Sequence, residues 1–460
     1  MQAIFAIARL TFKAAFRFRL VPVMIVLLIG SVLLLPAIIK DDGTARGLTQ
    51  IVLTYNLGLI AAVLGLTTLW LACGTLARDI DEGQMQVVAV KPVGRWQIWL
   101  GKWLGIMLLN ALMLGVSAAS VYAQLVGRAQ RLPPAQKEVL QHEVFVARGS
   151  FKEELPDLEP GVDRLIEERV KGNPELARMP KTELRRLLRE NLKAALQAVR
   201  PGFTRIWRIN LGSAKDSLRD QPLYLRIKFF ASDKSPSGTF TAFWEIGPSD
   251  SPRRVRTVRS QAPETFHEFA VPPNLFDAQG VLTVEFTNQN DTTLWFPLND
   301  GFEVLYREGG FALNYARGIG ILFCWLALLA AIGLAAASFL SFPVAAFVAL
   351  GLLVLAFSTG TMKTVVEQGT IREVNHDTGM VDRANLFDAA TVLMFKSLLA
   401  LVDLVRGFSP VDALSTGRSI TWGQLLRAMA QIVLLIGGGF AAIGIGVFTR
   451  RELATAQGNG

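Results

Sequence analysis

Six long apolar runs constrain the fold of this 460-residue chain more than any other feature of its sequence. A helix needs roughly 20 predominantly apolar residues to cross the hydrocarbon core of a bilayer. Each run has about that length, so we predict a membrane span in each. The predicted spans are residues 21–39, 51–73, 103–125, 318–340, 342–361 and 429–448. The chain is therefore predicted to be a multi-pass membrane protein built around a six-helix bundle.

The placement of basic residues predicts the orientation of the bundle. Lys and Arg accumulate in the loops on the cytoplasmic side of a membrane protein. Residues 127–310 hold 27 Lys and Arg against 25 Asp and Glu, so the net charge of +9 comes mostly from the rest of the chain. Six spans put the basic N-terminal flank, the loop 74–102 and the basic C-terminus on one side. We predict cytoplasmic termini in the bacterial cytoplasmic (inner) membrane, with the segments 127–310 and 362–424 outside.

Residues 1–20, which precede the first span, are predicted to form a basic and aromatic-rich helix. Arg9, Lys13 and Arg17 recur every four positions and share one helical face. Such a helix is typical of a segment that lies along the membrane surface. The same charges also fit an ordinary basic flank that fixes orientation. No small-residue cleavage site follows the first apolar run, so no cleaved signal peptide is expected.

The insertion between the third and fourth spans has two halves of different composition. Residues 127–202 are rich in charge, and the leucines of 181–199 recur at three and four positions, as in an amphipathic helix that Pro201-Gly202 ends. Residues 203–310 contain about eight short alternating runs separated by turn residues, which predicts a β-sandwich of the jelly-roll kind. The predicted fold class is mixed: a transmembrane helical bundle with an extracytoplasmic domain made of a charged helical part and a β-sandwich.

Aromatic residues of the predicted β-sandwich are candidate ligand contacts. The candidates are Trp207, Trp244 and Trp295, with Phe296 beside the last. They would suit a glycan or a lipid-linked polymer. Aromatic side chains in alternating strands more often fill the core, so both interpretations stay open. The charged helical half is a stalk, a dimer contact or simply a solvated surface.

A further helix is predicted over 384–408, within the outer loop 362–424. Its charged residues fall within an arc of roughly 80° at 100° per residue. They are Asp388, Lys396, Asp403 and Arg406. A charged stripe beside an apolar face is typical of an interfacial helix on the outer leaflet. The alternative is a charge-lined seventh span, which would place the basic C-terminus outside.

The sequence lacks the patterns of common catalytic and metal sites. The stretch from Gly94 to Lys102 has the wrong gap for a phosphate-binding loop, and Trp103 stands where Ser or Thr would bind magnesium. Both cysteines lie in apolar runs, and the chain has no serine elbow of the Gly-x-Ser-x-Gly kind. The histidines are dispersed, at His142, His267 and His376. We therefore predict no catalytic residue, bound cofactor or metal in this chain.

The polar hairpin 74–102, between the second and third predicted spans, carries the most distinctive motif. From residue 78 to residue 103 it reads RDIDEGQMQVVAVKPVGRWQIWLGKW, and a turn is predicted at Gly83. This segment resembles the signature of type-2 ABC exporter permeases, in which Glu-Gly precedes an apolar stretch, Pro, a basic residue and Gly-Lys. The matching residues are Arg78, Glu82, Gly83, Pro92, Arg95, Gly101 and Lys102. Gln84 departs from the family's usual Thr. The tail FTRRELA, residues 448–454, is also similar, and the resemblance covers 1–125 and 311–454 but not the insertion.

This resemblance implies a permease subunit that does not hydrolyse ATP itself. A separate cytoplasmic ABC ATPase would hold ATP and Mg, dock on the hairpin and rearrange two permease copies, as a homodimer or a heterodimer. The residues implied to couple the two subunits are Arg78, Asp79, Asp81, Glu82, Gly83, Pro92 and Arg95. Residues that anchor the hairpin at the membrane surface would transmit the movement of the docked ATPase to the third span. These interfacial anchors are Trp96, Trp99, Lys102 and Trp103. The same charges also fit a role in topology and headgroup binding alone.

Two other functions remain open at this stage. One is a non-transporting tether or sensor whose β-sandwich binds an envelope glycan, lipid or protein. The other is a membrane enzyme, which would need an acidic or histidine cluster that the sequence does not assemble. Few charges interrupt the six runs, which favours a lipidic or amphipathic cargo, or mechanical work, over a small ion. Membrane lipids are expected partners, and nucleic acid is not.

Overall fold

The computed structural model describes residues 1–16, 20–38, 44–85, 92–140, 144–154, 157–172, 181–248, 252–368 and 386–451. The chain divides into two compact units. One, the helical unit, comprises Met1–Ala147 and Gly309–Gly460, and the other, the inserted unit, comprises Arg148–Glu308. Their secondary structure confirms the mixed α and β class that the sequence predicts.

The helical unit begins with five helices. They are α1 (Gln2–Ala15), α2 (Leu20–Ile38), α3 (Ala45–Asp81), α4 (Arg95–Ala129) and α5 (Pro134–Val139). The Thr44 hydroxyl accepts a hydrogen bond from the Gly47 amide at the start of α3, which is how a threonine N-cap begins a helix. At 37 residues, α3 is about 55 Å long, which exceeds the ~30 Å hydrocarbon core, so its ends must project beyond a bilayer.

The N-terminal helix α1 packs along the beginning of α4. A Cβ at Gly101 would lie 2.7 Å from the Ile7 Cβ, and one at Gly105 would lie 2.7 Å from the Ala8 carbonyl oxygen. Two glycines one turn apart on α4 therefore admit the backbone of α1. The predicted N-terminal helix is present, and this face of it is occupied by the bundle.

The inserted unit contains short helices and most of the strands. Its helices are α6 (Glu159–Gly172), α7 (Lys181–Gln197) and the single turn α8 (Lys215–Leu218), which follows a 3₁₀ turn at Gly212–Ala214. The strands in chain order are β1 (Val146–Phe151), β2 (Ala198–Val199), β3 (Thr204–Asn210), β4 (Leu223–Ile227), β5 (Phe230–Ala231), β6 (Phe240–Ile246), β7 (Val255–Gln261), β8 (His267–Val271), β9 (Val281–Asn288), β10 (Leu294–Trp295) and β11 (Phe302–Gly310). Each of the eight alternating runs between residues 203 and 310 holds a strand. The short strands β1 and β2, in the half predicted to be helical, were not predicted.

The strands form three sheets with one shared core. Their orders are β1-β11-β4-β8, β3-β9-β6-β7 and the short β2-β10-β5. Buried side chains of the two four-stranded sheets belong to one cluster, in which the Trp207 ring of β3 stacks on the Phe302 ring of β11 with centroids 4.4 Å apart. The alternation of β6, with Phe240, Ala242, Trp244 and Ile246 buried, places one of its faces in this core.

A row of buried charges crosses the β1-β11-β4-β8 sheet, and the sequence did not reveal it. Register places Arg226 directly beside Glu303 on one neighbouring strand and Glu268 on the other. The Arg226 guanidinium lies 2.9 Å from the Glu268 carboxylate and 3.2 Å from that of Glu303, and Arg148 adds a second contact to Glu268 at 2.8 Å. Mutual pairing makes their burial tolerable, because an unpaired buried charge is costly.

The remaining helices return to the helical unit. They are α9 (Phe311–Ala337), α10 (Phe342–Phe357), α11 (Thr359–Gln368), α12 (Leu386–Arg406), α13 (Pro410–Ser415) and α14 (Trp422–Ala428). A π-helical stretch, Met429–Gly437, joins α14 to α15 (Gly438–Arg450). We call the continuous helix Trp422–Arg450 the last helix.

Among the described residues, four helices are long and apolar enough to cross a membrane: α3, α4, α9 and the last helix. The pair α10 and α11 makes a fifth only if it counts as one span, because the two helices meet at an angle of 72°. The first predicted span is helical as α2, in which Val21–Gly30 forms a shorter apolar helix. This count is compatible with a multi-pass membrane protein, and six spans are not confirmed.

Small residues bring α3 and α9 into close contact, as expected for helices packed in lipid. A Cβ at Gly333 of α9 would lie 2.6 Å from the Ala72 Cβ and 2.9 Å from the Leu69 carbonyl oxygen of α3. No larger residue fits there without separating the helices.

We therefore expect Gly333→Leu to destabilise the helical unit by about 1–3 kcal/mol, the usual cost of overpacking. Gly351→Leu in α10 is the matched control, since a Cβ there meets nothing within 4 Å. Thermal unfolding of the detergent-solubilised chain measures both. Equal melting temperatures for the two variants would contradict the close packing described here.

Candidate coupling site at one end of the helix bundle

The hairpin begins where α3 is stopped by a glycine in the left-handed conformation. Gly83 has a φ of +73°, which favours glycine over residues with a side chain. Its amide donates to the Ile80 carbonyl at 3.1 Å, and the Glu82 amide donates to that of Arg78 at 2.8 Å. This arrangement satisfies the last carbonyls of the helix. The turn predicted at Gly83 is thus present.

The return arm begins at Gly94, the N-cap residue of α4. The Gln97 side chain accepts a hydrogen bond from the Gly94 amide at 3.1 Å. Residues 86–91 of the hairpin, with Lys91, lie outside the described residues. The two described arms are nevertheless joined through side chains.

Lys102 of α4 and Asp79 of α3 form the ion pair that ties the arms together. The Lys102 ammonium lies 2.5 Å from an Asp79 carboxylate oxygen and donates to the Thr75 carbonyl oxygen at 2.8 Å. The Lys102 side chain is 7% exposed, whereas that of Asp79 is 32% exposed. Lys102 was predicted to anchor the hairpin in the headgroup layer; its side chain is instead buried in the bundle, where its charge is paired with Asp79.

Arg95, the first residue of α4, binds the end of the last helix. Its guanidinium donates to the carbonyl oxygens of Phe448, Thr449 and Arg451 at 2.7, 2.9 and 2.6 Å. Helices commonly end with such a basic side chain on their free carbonyls. Arg451 in turn donates to the Ser338 carbonyl at 3.2 Å, beyond the end of α9. The predicted coupling residues Asp79 and Arg95 therefore bond within the chain.

Two of the predicted interfacial tryptophans also lie inside the bundle. Trp99 is buried between α9 and the last helix, where a Cβ at Gly444 would lie 2.9 Å from its indole nitrogen. The Trp103 indole nitrogen donates to the Ala327 carbonyl at 3.1 Å. Trp99, predicted as an interfacial anchor, is thus buried in the bundle, and Trp103 is held by α9. Trp96, by contrast, is 49% exposed.

The helix ends described above meet at one end of the bundle. The contacts join the end of α3, the start of α4, the end of α9 and the end of the last helix. Phe342, at the start of α10, joins them, since the Arg78 guanidinium lies 4.5 Å from the centre of its ring. The two described arms of the hairpin, the short turn before α10 and the end of the last helix thus lie at the same end of the bundle.

An exposed surface remains on the hairpin after these internal contacts are made. Its members are Asp81, Glu82, Gln84, Pro92 and Trp96, which we call the hairpin surface. It carries two carboxylates, and the Gln84 amide donates to one of them, that of Glu82, at 2.8 Å. Such a surface can pair with basic groups of another protein, while the residues behind it are held by the bundle.

The candidate ligand residues of the inserted unit mostly fill its core. Trp207 and Trp244 are buried, and their rings stack with centroids 6.0 Å apart. Of the two interpretations left open by the sequence, both side chains follow the one in which they fill the core. Trp295 is half-buried, and its indole nitrogen donates to the Ser232 hydroxyl at 2.8 Å.

The predicted amphipathic helix 384–408 is present as α12, but its charged side chains are not all exposed. Asp388 is buried, whereas Lys396 and Asp403 are exposed. Large apolar side chains are exposed on the same helix, among them Phe387 and Leu393. The helix α12 is not one of the four helices among the described residues that are long and apolar enough to cross a membrane.

No group of three or more His, Cys, Asp or Glu that could hold a metal lies among the described residues, and His142 and His376 fall outside them. No family model, curated protein or solved structure matches the chain. The hairpin and its contacts are therefore the features of this chain that indicate a function.

The sequence did not predict the Lys102–Asp79 pair. Its one signal is that Lys102 directly precedes the apolar run 103–125, because a lysine that enters a helical bundle must find a counter-charge. We expect Asp79→Leu to destabilise the helical unit by on the order of 2–3 kcal/mol, less than for a fully buried pair because Asp79 is partly exposed. Adding Lys102→Met should recover most of that loss. A double-mutant cycle of thermal unfolding in detergent checks this, and additive losses would show that the two groups do not interact.

A second prediction concerns the end of the last helix. Replacing Arg95 with Ala removes the donor from three carbonyls, so amides of residues 444–450 should exchange with deuterium about ten times faster as the helix end opens locally. Arg450→Ala removes an exposed arginine from the same helix end and should leave the exchange near that of the parent chain. Identical exchange in both variants would contradict the role assigned to Arg95.

Proposed function

We propose that this chain is the permease subunit of an ATP-driven ABC exporter, and that a separate ATPase subunit docks on the hairpin surface. The observation that carries the proposal is the way the hairpin is built. Exposed Asp81 and Glu82 follow closely on Asp79, which pairs with Lys102 of α4, and on the other arm of the hairpin Arg95 binds the end of the last helix. The resemblance of this segment to the signature of type-2 ABC exporter permeases supports the same function.

The contacts support a mechanical role for the hairpin. Force applied at Glu82 passes through the end of α3 to Asp79, and from there through Lys102 to α4. Arg95 extends the connection to the last helix. Because the hairpin is joined to each helix by short polar contacts, its displacement moves helix ends together and is not absorbed by a loose loop.

The proposal includes a finer architecture. The helices α2 and α10–α11 complete six spans with the four long ones, and the hairpin surface and both termini face the cytoplasm of a bacterial inner membrane. The inserted unit is then an extracytoplasmic β-sandwich with a helical appendage. Two permease copies act together, ATP and Mg bind to the partner ATPase, and this chain carries out no catalysis.

The test is affinity capture of the full chain from its native membranes, followed by mass spectrometry and an assay of ATP hydrolysis. We expect a stoichiometric ABC ATPase, recognised by its phosphate-binding loop, and MgATP hydrolysis by the captured complex. Glu82→Lys should lower ATPase recovery at least tenfold, because a basic residue then faces a basic surface. Glu154→Lys, the same reversal at an exposed position of the inserted unit, should retain the ATPase.

Capture of the parent chain without an ATPase would remove the energy source and overturn the proposal. The tether or sensor function would then be the better explanation, with the inserted unit as its binding part. If the ATPase stays bound to the Glu82→Lys variant and hydrolysis is unchanged, the docking surface lies elsewhere on the chain.

A further inference from the structure

A large apolar cavity lies within the helical unit, away from the hairpin surface. Its volume is about 660 Å³, and its walls come from α3, α9, α10, α12 and the last helix. The wall on α3 is formed by Gly58, Ala61, Ala62, Gly65 and Leu66. These positions are near the middle of α3, one of the four helices able to cross a membrane.

Small residues shape the α3 wall as a groove that runs along the helix. Gly58, Ala61, Ala62 and Gly65 follow the spacing of a single helical face. A Cβ at Gly58 would meet no atom within 4 Å, so the space in front of it is empty of protein. A Cβ at Gly65 would lie 3.3 Å from Leu329 Cδ1, so the groove is open at Gly58 and is bounded by α9 at Gly65.

The polar groups in the wall already have partners within the chain. The Trp325 indole nitrogen donates to the Phe408 carbonyl oxygen at 3.2 Å, and the Ser409 hydroxyl donates to the Asp412 carboxylate at 2.5 Å. The other lining side chains are apolar. Water is not held in such a cavity, because a buried water needs two to four polar partners.

Exposed apolar side chains mark the mouth of the cavity. Leu66, Phe357 and Leu401 line it and are 51%, 81% and 41% exposed. Phe357 is the last residue of α10, directly before the 72° bend into α11. At the depth of a membrane span, the medium around these side chains is lipid hydrocarbon and not water.

We propose that this cavity is a binding site for one acyl chain of a membrane phospholipid. Its volume of about 660 Å³ lies within the roughly 300–1,000 Å³ of small-ligand pockets. The hydrocarbon that surrounds the mouth supplies the occupant directly. This inference does not depend on the proposed ATPase partner.

The test uses the full chain in vesicles of phosphatidylethanolamine and phosphatidylglycerol with a trace of phosphatidylcholine that carries a diazirine in the middle of one acyl chain. Irradiation, digestion and mass spectrometry locate the labelled residues. We expect adducts on cavity residues of several helices, such as Leu66, Leu329, Leu352 and Val402. Their yield should exceed that at Leu108 and Leu112, exposed side chains of α4 that only face bulk lipid.

Gly58→Phe fills the groove and should lower the cavity adducts at least fivefold. Gly115→Phe is the matched control, because a Cβ at Gly115 also meets nothing within 4 Å and this residue does not line the cavity. If Gly58→Phe fails to give a monodisperse protein, Ala62→Phe at the exposed rim of the groove replaces it.

Labelling of cavity residues no stronger than that of Leu108, or unchanged by both filling variants, would overturn the proposal. A second test places Phe357→Cys in a chain whose Cys73 and Cys324 are replaced by Ser. A disulfide between two copies at that position, together with absent labelling of the cavity, would also overturn the proposal. The second result would show that another copy of the chain covers the mouth.

Discussion

The buried ammonium of Lys102 is the constraint on which the hairpin depends. An apolar bundle cannot hold that charge alone, so α4 must place it against Asp79 and the Thr75 carbonyl of α3. This contact fixes the two arms of the hairpin relative to each other. Arg95 is then placed at the start of α4, where it reaches the last helix. Without the pair, Arg95 would still join the start of α4 to the last helix, but the end of α3, which leads to the exposed Asp81 and Glu82, would lose its ion pair with α4.

The sequence predicted those elements whose cause is local. Alternation in the eight runs of 203–310 depends only on neighbouring residues, and each run holds a strand. The left-handed turn at Gly83 follows from the freedom of glycine at a helix end. The break between α10 and α11 was missed, because the apolar run 342–361 continues through Ser358 and composition does not reveal a bend.

Residues with distant partners were the ones predicted wrongly. Trp96 and Trp99 are three positions apart in the same hairpin, yet the first is exposed and the second is buried against Gly444, some 345 positions later in the chain. No local pattern distinguishes them. Arg95 is a second example, because a basic residue before a span is equally consistent with a contact to a partner protein and with the capping of a helix within the chain. The buried row of Arg226, Glu268 and Glu303 requires the strand register, which the sequence alone does not supply.

The helix α3 connects the two proposed sites. Its end carries Asp79 and the hairpin surface, and its middle forms the groove around Gly58. Its close contact with α9 through Gly333 lies between them, so α3 cannot shift there without moving α9. If an acyl chain and the partner of the hairpin each bind more tightly when α3 is in one of two positions, each changes the affinity of the chain for the other, because coupling between two binding sites is reciprocal. A lipid in the groove and an ATPase on the hairpin would then act on the equilibrium of the same helix.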